Sequence, residues 1–237
     1  MPPITATPDL SLIRAIAAGQ PVRIEANTLE AVRRRREQAL AALRDGRVVY
    51  GVNTGMGKLS TIRLTEEQQR SHQRNLLIAR AVGGPPWLEP AEARSVFAVR
   101  LVTFLSGDAA VSAELCQRLA VFLNDGIVPA VPRAGGGAAG EIAHLAHAFG
   151  PLVGIGQVLG PGGGVDSAQE VLRGRGISEF SLGPKEGISL IQGVPGATGL
   201  CVLRLGETAG LTALMEATAA LSVVAIRASR DPYRAAC

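Results

Sequence analysis

The stretch from Leu200 to Ala228 constrains this chain most. Leu200 and Leu203 begin an apolar stripe that Leu211, Leu214, Ala217, Leu221 and Ala225 continue at three- and four-residue steps. Gly199, Ala209, Gly210 and Ala213 supply small faces, so apolar residues surround much of the girth. That spacing predicts a long helix, and a helix apolar on most sides must be buried. A chain of 237 residues has few elements left to cover it. Left exposed, it would be an aggregation liability. A membrane span over Ile188 to Ala228 is disfavoured, because Arg204, Glu207, Glu216 and Arg227 interrupt it. The charge-free stretch Ile142 to Val165 holds two histidines, two prolines and many glycines, which argue against one spanning helix.

The remaining pattern is mainly helical. Leu29 to Asp45, Pro90 to Leu105, Ala113 to Asn124, Glu141 to Phe149 and a short Asp166 to Arg173 read as helices. Glu66 to Ala81 is entered through Thr65 with Gln68 three residues on, a capping-box pattern. Val158 to Gly164 reads as a hairpin-like turn; no Lys-Ser or Lys-Thr follows its glycines, so it is not a nucleotide loop. Hydrophobic residues make up 47% of the chain, enough for a sizeable core. The formal net charge of +4 is spread out, except for Arg33-Arg34-Arg35-Arg36 on a helix face. With 3% aromatics and no basic-aromatic interleaving, a nucleic-acid site is disfavoured. Cys116, Cys201 and Cys237 are too few and scattered for a disulfide framework or a zinc site, and no metal is expected. The amino terminus has no apolar signal region, which points to a cytoplasmic protein.

Chemistry concentrates in glycine-rich segments. Tyr50-Gly51-Val52-Asn53-Thr54-Gly55-Met56-Gly57-Lys58-Leu59 opens on a tyrosine and folds on three glycines. Taken alone, it is equally a glycine-rich turn around a buried tyrosine. Two further segments shift that balance. They are Gly135-Gly136-Gly137-Ala138-Ala139-Gly140-Glu141-Ile142-Ala143-His144-Leu145-Ala146-His147 and Leu182-Gly183-Pro184-Lys185-Glu186-Gly187-Ile188-Ser189-Leu190-Ile191-Gln192-Gly193. With Phe122-Leu123-Asn124-Asp125-Gly126-Ile127-Val128-Pro129, the ordered set resembles the histidine and aromatic amino acid ammonia-lyase family, from about Leu29 to Pro232.

The resemblance implies an ammonia-lyase-like helical fold. Residues 1–187 would form a catalytic-loop domain, and 188–237 would begin the central helical bundle. In the family an Ala-Ser-Gly tripeptide cyclises and loses water, giving an electrophilic methylidene-imidazolone ring. Here the tripeptide is Ala138-Ala139-Gly140. Alanine has no leaving group on its β-carbon, so no such cofactor is expected. Further departures stand at Glu141, His144 and Gln192, where the family has Asp, Pro and Asn. At the segment that helps choose the substrate side chain, this sequence has Ala79 and Arg80. Arginine suits carboxylate or phosphate better than a neutral ring, although Arg80 is also readable as a surface residue ending a helix.

What survives implies proton transfer. Tyr50 keeps the family's proton-moving position. A phenol ordinarily ionises at about pH 10, so base duty needs neighbouring positive charge or donated hydrogen bonds. Backbone N–H groups at Ala139, Gly140 and Glu141 open a helix and could hold an oxyanion. Asn53, Gly57, Ala79, Arg80 and Gln192 are the expected substrate-binding positions, with Lys185 and Glu186 bracing the loop beside Gln192. The family's second half, with its carboxylate-gripping arginine, has no match. The expectation is therefore a hetero-oligomer with a second polypeptide carrying that half. It would catalyse isomerisation, elimination or cyclisation on an activated carbonyl substrate. A non-catalytic or regulatory subunit, and an inactivated or truncated conventional lyase, stay open as alternatives.

Overall fold

A computed structural model describes residues 3–44, 47–135 and 140–233. The chain is mostly helical. α1 spans Leu10–Ala17, α2 Ala26–Arg44, α3 Glu66–Ile78, α4 Pro90–Leu105 and α5 Ala113–Asn124. α6 spans Ile142–Phe149, α7 Ala168–Gly174, α8 Glu186–Ile191 and α9 Pro195–Ala225. Two small sheets complete it. β1 (Pro3–Ile4) pairs in parallel with β2 (Arg23–Ile24), and β3 (Gln157–Leu159) pairs antiparallel with β4 (Val165–Ser167).

α4 is the axis of the fold. Ala93, Val96, Phe97, Ala98, Leu101, Phe104 and Leu105 are buried on it, and so are Glu92, Arg94 and Arg100. It has almost no polar face because α1, α5 and α9 pack around it. Phe97 stacks on Phe122 at 5.9 Å and tilts against Phe149 at 4.9 Å. Each such ring contributes roughly 2–3 kcal/mol by leaving water. Buried Arg94 is tolerated because its donors are used. Arg94 bonds the carbonyls of Ile16 at 2.9 and 3.0 Å and of Leu123 at 2.8 Å, tying the ends of α1 and α5 to α4. Close helix crossings need small residues. A Cβ on Gly199 would come within 2.5 Å of Ser95 Oγ, so glycine lets α9 lie against α4.

α3 begins as its sequence requires. Thr65 and Gln68 make a reciprocal capping box. α4 and α5 have the expected limits, and the 158–164 turn closes the β3–β4 hairpin. Three sequence expectations are corrected. Asp166 lies in β4, and α7 starts two residues later. α1 was not foreseen; Asp9 caps it by accepting from the Ser11 backbone at 3.1 Å. The apolar run after Ile188 is two helices. The chain turns over Gln192–Val194, where Gly193 has φ +78°, and Pro195 at the first position of α9 starts the second helix.

Beyond Gly206, which lies against Arg14 of α1, α9 leaves the body of the protein. Leu214 is 64% exposed, Leu221 70% and Ile226 76%. By length and composition, Glu186–Ala225 could cross a membrane. The turn at Gln192–Val194 divides that stretch.

Candidate functional site

The Tyr50 loop is held by its own polar atoms. Asn53 Oδ1 accepts from the Val49 backbone at 2.8 Å, and its Nδ2 donates to the Arg47 carbonyl at 2.7 Å. Both ends of the Asn53 amide are therefore engaged within the loop. The Gly57 N–H donates to Tyr50 Oη at 2.9 Å, from a glycine with φ +55° that heads a 3-10 turn to Leu59. Tyr50 is 46% exposed, so the alternative of a buried packing tyrosine does not hold. The loop has a phenol fixed at its oxygen and open to solvent.

Beneath it, fully buried Gln73 on α3 joins the loop to α8. Its Nε2 donates to the Gly51 carbonyl at 3.2 Å, and its Oε1 accepts from the Ile188 N–H at 3.1 Å. Gly187 makes this approach possible, since a Cβ there would collide with the Gln73 backbone. Ala79 is the C-cap of α3. Arg80 follows it and reaches the loop: its Nη2 lies 3.4 Å from Met56 Sδ, and its Nη1 3.4 Å from the Leu76 carbonyl. Tyr50, Asn53, Gly57, Ala79 and Arg80 thus form one cluster.

A second cluster surrounds the tripeptide. Ala138 and Ala139 lie outside the described residues. Gly140 has φ +79°. Glu141 is the N-cap of α6, and its carboxylate caps another helix, accepting from the N–H groups of Gly196 at 2.7 Å and Ala197 at 2.5 Å at the start of α9. The first N–H groups of α6 have no intrahelical acceptor. A cavity of about 200 Å³ adjoins them, walled by Leu88, Val96 and Leu200, with Arg133, Glu141 and His144 at its polar side. His144 Nδ1 is buried and has no hydrogen-bond partner among the described residues.

Gln192 enters this cluster through its backbone, whose carbonyl accepts from buried Arg100. Its side chain is exposed. Burial lowers the pKa of Arg100 to about 10, and the charge of Glu141 acts in the opposite direction. The two clusters meet through α3, α6 and α8. Gly83, just after Arg80, lies against His147 of α6, while α8 touches the loop at Ile188 and ends at Gln192.

Lys185 and Glu186, expected to brace the loop beside Gln192, bond instead to the segment before α5 and to Gly183. Lys185 Nζ donates to the Ala109 carbonyl at 2.5 Å. Burial lowers its pKa, with Arg36 adding to the shift. Buried Glu186 accepts from Ser112 through both Oγ (2.5 Å) and backbone N–H (2.8 Å), and from the Gly183 N–H at 2.6 Å. Sequence reasoning missed Gln73, Arg100 and Glu92. Glu92, buried, accepts from Arg133 at 2.6 Å and from Arg204 at 2.7 Å, joining α4 to α9 and to the segment between α5 and α6. The available signal was charge at Glu92, Arg94 and Arg100 in an otherwise apolar helix. Among the described residues, no group of three or more His, Cys, Asp or Glu is placed to hold a metal.

A helical body with a tyrosine-headed glycine loop, and with a glycine-rich segment that precedes α6, defines a lyase-type scaffold. The chain belongs to the aromatic amino acid lyase family, which it matches over residues 9–237. It is 37% identical over 171 residues to the histidine ammonia-lyase of Geobacillus thermodenitrificans, covering 71% of this chain and 34% of that protein. It is 39% identical over 135 residues to an MIO-dependent tyrosine 2,3-aminomutase of Streptomyces globisporus, covering 56% of this chain and 25% of that protein. Among solved structures, a tyrosine aminomutase mutant superposes with a TM-score of 0.91 at 32% identity, over 99% of this chain and 45% of that one. The phenylalanine aminomutase of Pantoea agglomerans gives 0.89 at 28%, over 98% and 45%. The chain therefore spans less than half the length of these relatives.

Proposed function

We propose that this chain is a ring-less subunit of the lyase family that moves a proton on an activated carbonyl substrate, together with a second polypeptide carrying the family's other half. The observation that carries the reading is Tyr50: an exposed phenol whose oxygen is oriented by the Gly57 N–H. The residues do not fit the family's prosthetic ring. Ala139 has only a methyl group where a hydroxyl must leave, so no step is routed through that group.

In the proposed reaction, Tyr50 as phenolate accepts the proton α to the carbonyl. The C–H electron pair forms the enolate double bond, and the carbonyl π pair moves onto oxygen. N–H groups at Gly140 and Glu141, at the mouth of α6, hold that oxyanion; such donors act most strongly where water is excluded. Return of the proton at another carbon isomerises the substrate. Departure of a β-substituent with its bonding pair eliminates. Attack of the enolate carbon on a second carbonyl closes a ring. Deamination of a free amino acid is disfavoured, because its α-ammonium leaves poorly and its β-proton is weakly acidic without the electrophile. An acyl thioester supplies the acidic α-proton instead. The reading is of a cytoplasmic enzyme.

The test is exchange of the α-proton of a β-ketoacyl thioester in deuterium oxide, with the chain and any co-purifying partner. Tyr50→Phe should slow exchange roughly 100-fold. Wild-type exchange no faster than buffer would remove the proton-transfer reading. It would leave the second reading, a non-catalytic subunit. The exposed length of α9 is compatible with that reading, since it suits a structural partner as well as a catalytic one.

A further inference from the structure

The Tyr50 loop is unusual in its charge. Residues 47–65 include Arg47, Lys58 and Arg63 and no Asp or Glu. Arg80 adds a fourth cation from α3, against Met56. Among the described residues, Arg47, Lys58 and Arg80 are in no ion pair, whereas each of the four arginines Arg33 to Arg36 on α2 has a carboxylate partner. The three cations flank the tyrosine through short links. The Arg47 carbonyl holds Asn53, Lys58 follows the glycine that bonds Tyr50, and Arg80 touches the residue before that glycine. Among the described residues, the Arg80 guanidinium bonds only a thioether and one helix-end carbonyl, both at 3.4 Å. Its guanidinium has five N–H donors in a planar fork that matches phosphate oxygens.

We infer that Arg80 and the cations of the Tyr50 loop form an anion subsite for a phosphate on the substrate's carrier, so that the acyl group arrives on a phosphate-bearing thiol. This rests on the proton-transfer reading and adds the substrate class. Three cations, with Glu66 lining the adjoining pocket at Val52 and Asn53, suit a multiply charged phosphate ester better than a single carboxylate. The thioester that acidifies the α-proton is then delivered on the same molecule. The phosphate belongs either to a nucleotide carrier or to the phosphopantetheine arm of a carrier protein, and the two sources present the same chemistry to Arg80.

The experiment is calorimetric titration of the full chain, with any co-purifying partner, in phosphate-free low-salt buffer. The probes are coenzyme A, 4′-phosphopantetheine and uncharged pantetheine. Both phosphorylated probes should bind, pantetheine should bind at least about tenfold more weakly, and added salt should weaken the first two. Binding by coenzyme A alone of the two would assign the nucleotide as the source; equal binding would assign the phosphopantetheine arm. Arg80→Ala should lower affinity for the phosphorylated probes about tenfold, with Arg80→Lys partly restoring it. Arg34→Ala, which removes a charge from α2, should change nothing. Should Arg80→Ala fail to fold, Lys58→Ala at an exposed position and the wild-type salt dependence carry the test. Equal binding of pantetheine and coenzyme A, or equal weakening by Arg34→Ala, overturns the inference. If phosphate discrimination is missing while Tyr50→Phe still abolishes exchange with an N-acetylcysteamine thioester, the anion subsite falls and proton transfer stands.

Discussion

The carboxylate of Glu141 lies 2.7 Å from the backbone nitrogen of Gly196. The residue that follows the Ala138-Ala139-Gly140 tripeptide is therefore also the cap of the longest helix. Glu141→Ala should free two N–H groups at the positive end of α9 and destabilise the chain by about 1 kcal/mol, as loss of a helix cap does. Urea unfolding measures this. An unchanged midpoint would mean that solvent replaces the carboxylate at no cost.

Arg100 ties the same region together from inside. It is buried, donates to the Gln192 carbonyl, and lies 5.4 and 5.7 Å from the ring centres of Phe104 and Phe149. Arg100→Met keeps most of the volume but leaves the Gln192 carbonyl without its donor. The expected loss is about 2 kcal/mol in urea unfolding. Hydrogen exchange at the turn between α8 and α9 should rise with it. A variant as stable and as protected as wild type would place the anchor of that turn elsewhere.

Stability should fall on the acid side. Burial lowers the pKa of His147 below its ordinary 6.5, with the Val82 backbone opposing and His144 adding to the shift. Burial, then the charge of Arg80, lowers that of His72. Folded pKa values below the unfolded value mean that the unfolded chain binds more protons in acid. The stability linked to neutral His147 and His72 is complete above about pH 6.5 and is lost as pH falls through their folded values. Urea midpoints taken above and below pH 6.5 should diverge in wild type and diverge less in His147→Gln. Identical pH profiles for the two proteins would contradict this.

How much of this was legible beforehand depended on what each residue had to satisfy. α3, α4 and α5 could be read because local signals act within a few residues: Thr65 with Gln68, Pro90 at a first turn, Ser112 at a cap. The Tyr50 and Arg80 cluster was suggested by the family resemblance, and the structure joins its members through Met56 and Gly57. The turn at Gln192 was missed because Ile188 and Leu200 sit in one apolar run, and periodicity alone did not reveal the break. Gln73, Arg100 and Glu92 were missed for another reason. Apart from the local capping bond from the Glu89 N–H to Glu92, their partners lie 22 to 115 positions away in the chain, and no local pattern encodes such a bond.

The exposed face of α9 makes its own demand. Leu211, Leu214, Met215 and Leu221 stand open on a helix anchored only near its start. Expressed alone, the chain should self-associate in light scattering. Expressed with a partner carrying the family's other half, it should form a complex that buries on the order of 2,000 Å² or more. Leu214→Asp should block that complex while leaving the body of the fold intact by circular dichroism. A chain that stays monomeric and active alone would refute the need for a partner.

The central claim is that this member of the lyase family works without the electrophilic ring, and intact mass spectrometry of the purified chain tests it most directly. The expected mass is the encoded one, with no near-ultraviolet absorbance from a ring. Ala139→Ser is the positive control, restoring the hydroxyl that must leave. A wild-type species lighter by the mass of water, with the loss mapped to Ala138-Ala139-Gly140, would contradict the account.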